Sequence, residues 1–451
     1  MNETDVIVIG GGISGLIAAR DIAAAGHSVR VLEARERVGG RTHSQPVDAE
    51  TGRFWVDLGG QWLGPSQARM ASLVSGFGLE TFPTYTDGRK ILELRGKVSR
   101  YSGTIPRLSP LKLASVQLGL NAVRRAANKT DPAAPWDIAD ALALDGRTVE
   151  TFKRAKVRSG AARSLVDAAV RGVFGAEPSE ISLLYFLSYV QGGGGLMNLI
   201  ETEDGAQATR FVKGAQLVAE RLAHDLGDAV LTQAPVREVV QRGDQVDVHT
   251  GSRAFRSRYV IVAMAPAMAG RIAFSPTLPP DRDELYRRFG MGATTKMHLV
   301  YPEPFWRGDG LSGEVVAPDG PVDLVWDNSP HDASSGVLLA FIVGDKARRL
   351  AHSPAEERRR IVVERLTRWF GPRAAQPAHV LEKDWTSDPW SRGCPTGLLP
   401  PGVLATFGRE LRAPFGRIHW AGTETARGWA GYMEGAVEAG ERAAVEVLDR
   451  S

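Results

Sequence analysis

Three glycines spaced Gly10-x-Gly12-x-x-Gly15 stand between a short β-branched run, 5–9, and an alanine-rich stretch, 16–25. In such a loop the first glycine permits a tight turn and the second lets backbone approach a phosphate. The third brings the next helix close to its strand. The N–H groups opening that helix then meet phosphate with the positive end of its dipole. Glu33 lies at the distance where a carboxylate accepts from both ribose hydroxyls. With a strand before, a helix after and an acid beyond, the pattern reads as a dinucleotide site. The acid disfavours a 2′-phosphate, and with it NADP.

A second glycine element follows. Glu33-Ala34-Arg35 leads to Arg37-Val38-Gly39-Gly40-Arg41-Thr42. Gly39-Gly40 brings more backbone to a ligand, and Arg41 supplies a cation for a phosphate. A bare NAD domain does not require this element. Other cofactor chemistry finds little support. The nine histidines are scattered, and neither HExxH nor CxxC occurs, so no local metal site is expected. The one cysteine, Cys394, excludes an intramolecular disulfide and fits a reducing compartment.

The elements that must position these residues follow from periodicity. Strand 5–9, helix 16–25 and strand 29–32 form a βαβ unit. Between 81 and 207 apolar positions recur at helical spacing, as in 111–126 and 149–173, which predicts a mostly helical insertion. Strands are predicted at 236–240, 246–250 and 259–263, with Gly243-Asp244 at a hairpin turn. Further strands are expected at 296–301, 336–343 and 418–421, and helices at 354–370 and 437–448. Ser353, Pro354 and Glu356 suggest a capping box, with Arg358 to Arg360 on a solvated face. The dinucleotide-type elements thus come from three separated stretches, interrupted by two insertions.

The chain has 451 residues, 43% hydrophobic and 24% charged, enough to bury more than one core. Its net charge of +3 is a weak field for this size and argues against a nucleic-acid partner. No apolar run approaches the ~18 residues of a membrane helix, and no secretory leader is evident. A soluble cytoplasmic protein is the expectation.

Val38-Gly39-Gly40-Arg41 after such a unit resembles the FAD-dependent amine oxidases. Asp57-Leu58-Gly59-Gly60-Gln61-Trp62, Arg210-Phe211-Val212-x-Gly214 and Pro304-Phe305-Trp306 resemble further blocks of that family. The tail, Trp420-Ala421-Gly422-Thr423-Glu424-Thr425 and then Gly431-Tyr432-Met433-Glu434-Gly435-Ala436, is similar to the flavin monoamine oxidases specifically. The blocks run in the family's order along nearly the whole chain. The resemblance implies an α/β fold. A Rossmann-type FAD-binding domain would be assembled from segments 1–80, 211–286 and 388–451. An α+β substrate domain would be formed by the insertions 81–210 and 287–387.

It also implies roles. The cofactor-binding set is Gly10, Gly12, Gly15, Glu33, Arg35, Gly40, Arg41, Gly60, Gln61, Trp62, Val236, Cys394, Gly422, Thr423, Glu424, Gly431 and Met433. Lys296 would hold a water near the flavin N5, and Trp385 would pack near the flavin ring. Tyr432 would form one wall of an aromatic cage around the amine. Cys394 stands where animal monoamine oxidases join a cysteine to the flavin 8α-methyl. The next residue is Pro395, where those enzymes have the second cage tyrosine, so Trp429 is a candidate for another aromatic face. Ile200, Gln207, Leu324 and Phe341 would line the substrate pocket with Pro395 and Trp429. Leu324 offers no carboxylate to a diamine, and no arginine clamp for an α-carboxylate is evident.

The implied activity is oxidation by O2 of a small apolar or aryl-alkyl primary amine to aldehyde or ketone, ammonia and hydrogen peroxide. A secondary or cyclic amine, a polyamine or an L-amino acid stays open as substrate, as does a flavin-binding protein without turnover. Dimerisation is common in the family, so a homodimer is an open expectation. Animal relatives carry a C-terminal membrane helix, whereas this chain stops just after its last alanine-rich helix.

Overall fold

The computed structural model describes residues 2–103 and 109–450. Two large sheets organise them. In the first, strand Asn2–Ile9 lies between Val29–Leu32 and Ala254–Ala263, all parallel. Val6, Ile7, Val8 and Ile9 are buried, as both faces of a parallel sheet must be. Beyond Ala254–Ala263 the sheet turns antiparallel through Gln245–Thr250 and Val236–Arg242. Gly243-Asp244 lies between these two strands, as expected, with Gly243 at φ 63°. The C-terminal strand Ile418–Ala421 pairs in parallel with residues 260–263 of Ala254–Ala263. The other half of that edge, residues 254–257, is taken by Gln245–Thr250. Helices Ile13–Ala24, Leu217–Leu226 and Met433–Leu448 share one apolar core with this sheet, through Ile17, Val218 and Val437. The strands and helices of this layer come from three stretches of chain.

The second sheet runs His379–Asp384, Thr294–Tyr301, Gly336–Val343, Leu324–Asp327, Leu311–Val316, Arg89–Leu94 and Lys97–Tyr101. All eight residues of Thr294–Tyr301 are buried. Met297 and Leu299 face a core shared with helix Ala355–Phe370. Thr294 and Lys296, on the alternate side, face a large cavity.

Three expectations are corrected. The insertion from 81 opens with strands, because the hairpin Arg89–Tyr101 joins the second sheet beside Leu311–Val316. The helical stretch 149–173 is two helices, Val149–Lys156 and Gly160–Phe174, and Ser159 caps the second by accepting from the N–H of Ala162. The capping box does not form. Pro354 occupies the cap of Ala355–Phe370, and the Arg358 guanidinium donates to the Ser353 carbonyl. Among the described residues, no helix is long and apolar enough to cross a membrane.

Candidate active site

One cavity of about 750 Å³ runs from the Gly10–Gly15 loop to the second sheet. At its first end Gly12 caps helix Ile13–Ala24. A Cβ built on Gly12 meets no protein atom within 4 Å and would stand in the space a ligand needs. A Cβ on Gly15 would lie 2.0 Å from the Gly10 carbonyl oxygen. Gly15 therefore packs helix against strand and does not line the cavity. Glu33 does line it. Its carboxylate accepts from the N–H of Gly11 at 2.7 Å and of Arg35 at 2.8 Å, which fixes it beside the loop. Gly10, Arg35, Gly40, Arg41 and Val236 extend the same wall. The open cradle at Gly12, the unpaired N–H groups of a helix start and a fixed carboxylate fit the pyrophosphate and ribose of FAD.

The second glycine element is tied to the first, since the Gly39 N–H donates to the Gly11 carbonyl at 2.8 Å. Arg41 is less free than its sequence suggested. Its guanidinium donates twice to Glu424, at 2.6 and 2.9 Å, and once to the Pro395 carbonyl. Its charge is matched by a buried carboxylate, so it acts first as a clamp between distant segments. Glu424 in turn is not on the cavity wall; it spends its oxygens on Arg41 and the Gly397 N–H. Gly422, Thr423, Gly431 and Met433 do line the cavity, with Gly60, Gln61 and Trp62 opposite. Gly431 has φ 83°, and a Cβ there would press on Thr396 and on the Tyr189 hydroxyl.

Lys296 lies deep in this space, 3% exposed. Its Nζ donates to the carbonyls of Asp57 at 2.6 Å and Gly59 at 2.8 Å, and to Gln61 Oε1 at 2.6 Å. Gln61 is held from its other end by donating to Asn328. Burial brings the Lys296 amine down to about 7, with Asp57 opposing that fall. Three acceptors ask for the ammonium while desolvation asks for the amine. The two demands nearly balance at neutral pH. Trp385 is fully buried, and its Nε1 donates to the Leu58 carbonyl at 2.8 Å. It does not reach the cavity. Its expected place beside a flavin ring becomes a place behind the loop that Lys296 grips.

Cys394 and Pro395 line the wall between Arg41 and Lys296. Burial pushes the Cys394 thiol up to about 11, while the positive charges of Arg41 and Lys296 pull it down. Tyr432 stands at the N-cap of Met433–Leu448 and faces the cavity. Trp429 does not line it. Its ring meets Tyr432 edge-on at 4.9 Å between centroids and so buttresses that wall. Tyr189, which the sequence reading passed over inside an apolar helix, lines the cavity 6.2 Å from Tyr432.

Ile200, Gln207, Leu324 and Phe341 all face the cavity. Sheet register explains the last two. Lys296 is opposite Phe341, Phe341 opposite Leu324, and Leu324 opposite Val316. One row of side chains thus crosses four strands along the cavity floor. Trp62, Trp326 and Phe341 cluster edge-to-face, 5.0 to 6.0 Å apart, and Lys296 Nζ lies within 6 Å of two of these rings. Sequence reasoning also missed Lys90, Tyr101 and Glu314 at the far end of the same floor. Among the described residues no cluster of side chains suits a metal ion.

Residues 13–448 match the family described as flavin containing amine oxidoreductase. A probable flavin-containing monoamine oxidase A of Dictyostelium discoideum is 39% identical over 449 residues, 99% of this chain and 98% of the relative. Cyclohexylamine oxidase from Brevibacterium oxydans IH-35A has the same fold, with a TM-score of 0.94 and 36% identity over 99% of each chain. Putrescine oxidase bound to putrescine gives a TM-score of 0.95 and 31% identity over 99% of each chain. Matched along nearly its whole length in sequence and in fold, the chain belongs to the flavin-containing amine oxidoreductase family and is an FAD-dependent amine oxidase.

Proposed function

We propose that the enzyme oxidises a small apolar or aryl-alkyl primary amine to an aldehyde or ketone, with release of ammonia and hydrogen peroxide. The observation that carries this reading is the floor beside Lys296: Phe341, Leu324 and Val316 in one row, with Ile200 and Tyr432 on the walls. When bound, FAD supplies the redox chemistry, taking a hydride equivalent from the amine α-carbon and passing the electrons to O2. The chain supplies the setting. An alkylammonium cannot give up that hydride, and apolar walls favour the neutral amine by desolvation. Tyr432, braced by Trp429 and Tyr189, fixes one side of the amine's approach. Lys296 closes the cavity's inner end, where its three hydrogen bonds fix the loop that carries Gln61 and Trp62.

The same reading assigns residues 1–80, 211–286 and 388–451 to the FAD-binding part and 81–210 and 287–387 to the substrate part. It joins FAD to Cys394 as a thioether, supported by the sole thiol standing on the cavity wall. A cytoplasmic setting agrees with a chain whose one cysteine can form no internal disulfide. The test is peroxide release on a panel of primary alkyl and aryl-alkyl amines, secondary amines, diamines and amino acids. Turnover confined to the last three classes would overturn the proposed substrate class.

A further inference from the structure

The floor of the cavity is apolar from Phe341 to Val316 and then becomes charged. Glu314 and Lys90 face it from neighbouring strands, with Lys90 Nζ 2.7 Å from Glu314 Oε2. Glu314 is 8% exposed, and its other oxygen, Oε1, has no hydrogen-bond partner. Thr202 stands beside the carboxylate and helps Lys90 hold its pKa down. Burial and the nearby charge of Glu201 push the Glu314 carboxyl up, and Lys90 pulls it down. A buried carboxylate oxygen left without a donor is costly, so it marks a place where something else donates.

We propose that Glu314, braced by Lys90, is a specificity residue whose Oε1 accepts a hydrogen bond from a hydroxyl at the far end of the amine substrate. The inference rests on the reading of the cavity as the amine site and refines it. A hydroxyl fits better than a second ammonium at Oε1, because Lys90 stands on the same carboxylate and would repel a cation placed beside it. The register sets the length. Three strand spacings separate Lys296 from Val316, roughly 14 Å between Cα atoms, and Glu314 lies two residues before Val316. The substrate is therefore an extended amino alcohol or a hydroxylated aryl-alkylamine, with its two polar ends separated by an apolar middle.

The holoenzyme tests this with two ladders of about four to about twelve carbons: linear amino alcohols and the n-alkylamines of equal length. In the wild type the hydroxyl should raise kcat/KM about tenfold or more, through KM, at one chain length and not at the short end. The double variant Lys90→Met with Glu314→Leu removes both partners, so no charge is left buried alone, and should abolish that peak. Glu314→Gln keeps an acceptor and should keep part of it. Equal kcat/KM for the two ladders at every length overturns the proposal while leaving the amine oxidase intact. So does a diamine ladder that outperforms the amino alcohols. If no amine in either ladder turns over, the reading of the cavity falls. Titration of the ladders against the flavin spectrum then still shows whether the hydroxyl contributes to binding.

Discussion

Lys296 and Trp385 hold three consecutive carbonyls of one loop. Lys296 Nζ takes those of Asp57 and Gly59, and Trp385 Nε1 takes that of Leu58. Lys296 lies in strand Thr294–Tyr301 and Trp385 directly follows its neighbour His379–Asp384, with the Trp385 N–H donating to the Thr294 carbonyl. The loop leads directly into Gly60, Gln61 and Trp62 on the cavity wall. Replacing Trp385 by Phe keeps the ring in its core but leaves the Leu58 carbonyl unpaired. The expected cost is about 1–3 kcal/mol in denaturant unfolding. Loss of flavin absorption without loss of stability would place Trp385 at the cofactor instead.

The buried Lys296 amine, lowered to about 7 from 10.5, makes stability depend on pH. Between those values the unfolded chain still carries a proton that the folded protein has given up. Stability should therefore rise with pH across that window, by at most ~1.4 kcal/mol per unit. Lys296→Met should remove this slope. Urea midpoints at neutral pH and near pH 9 measure it, and an unchanged slope in the variant would assign it to another group.

Gly12 and Gly15 make a paired test of the nucleotide loop. Gly15→Ala drives a methyl into the Gly10 carbonyl and should prevent stable folding. Gly12→Ala meets only open space, so the apoprotein should unfold like wild type yet fail to take up FAD. Flavin absorption and thermal unfolding, measured together, separate the two effects. Full FAD loading in Gly12→Ala would remove the pyrophosphate from that cradle.

Cys394→Ala tests the thioether. After acid precipitation, colour should stay with the wild-type pellet and leave with the supernatant of the variant. Colour released from both would make Cys394 a packing residue, as its raised thiol pKa near 11 would favour.

Tyr432→Ala should lower amine turnover by about tenfold or more while flavin content falls far less. Unchanged turnover would take Tyr432 out of the amine's path.

The nucleotide loop was legible because its chemistry is local. Gly10, Gly12, Gly15 and Glu33 lie within one βαβ unit, where Gly15 packs on the Gly10 carbonyl and Glu33 takes the Gly11 N–H. Positions set by tertiary pairing were harder to read. Glu424 belongs to the right motif, but a partner 383 residues away draws it behind the wall. Trp429 and Trp385 are aromatic near the right place, yet one turns its edge to Tyr432 and the other is anchored to Leu58. Lys90 and Glu314 were invisible, because only the parallel pairing of Arg89–Leu94 with Leu311–Val316 brings them together. The hairpin that carries Lys90 was read as part of a helical region for the same reason. Its strands gain their stability from a sheet built much later in the chain.

The split edge of strand Ala254–Ala263 has a consequence for synthesis. Its first half is satisfied by the neighbouring hairpin as soon as that segment forms. Residues 260–263 wait for Ile418–Ala421. Until that last strand leaves the ribosome, the nascent chain carries an apolar edge with open N–H and C=O groups. Such an edge can recruit a strand from another chain. A chain cut short before residue 418 should therefore aggregate as a body rather than survive as a smaller flavoprotein.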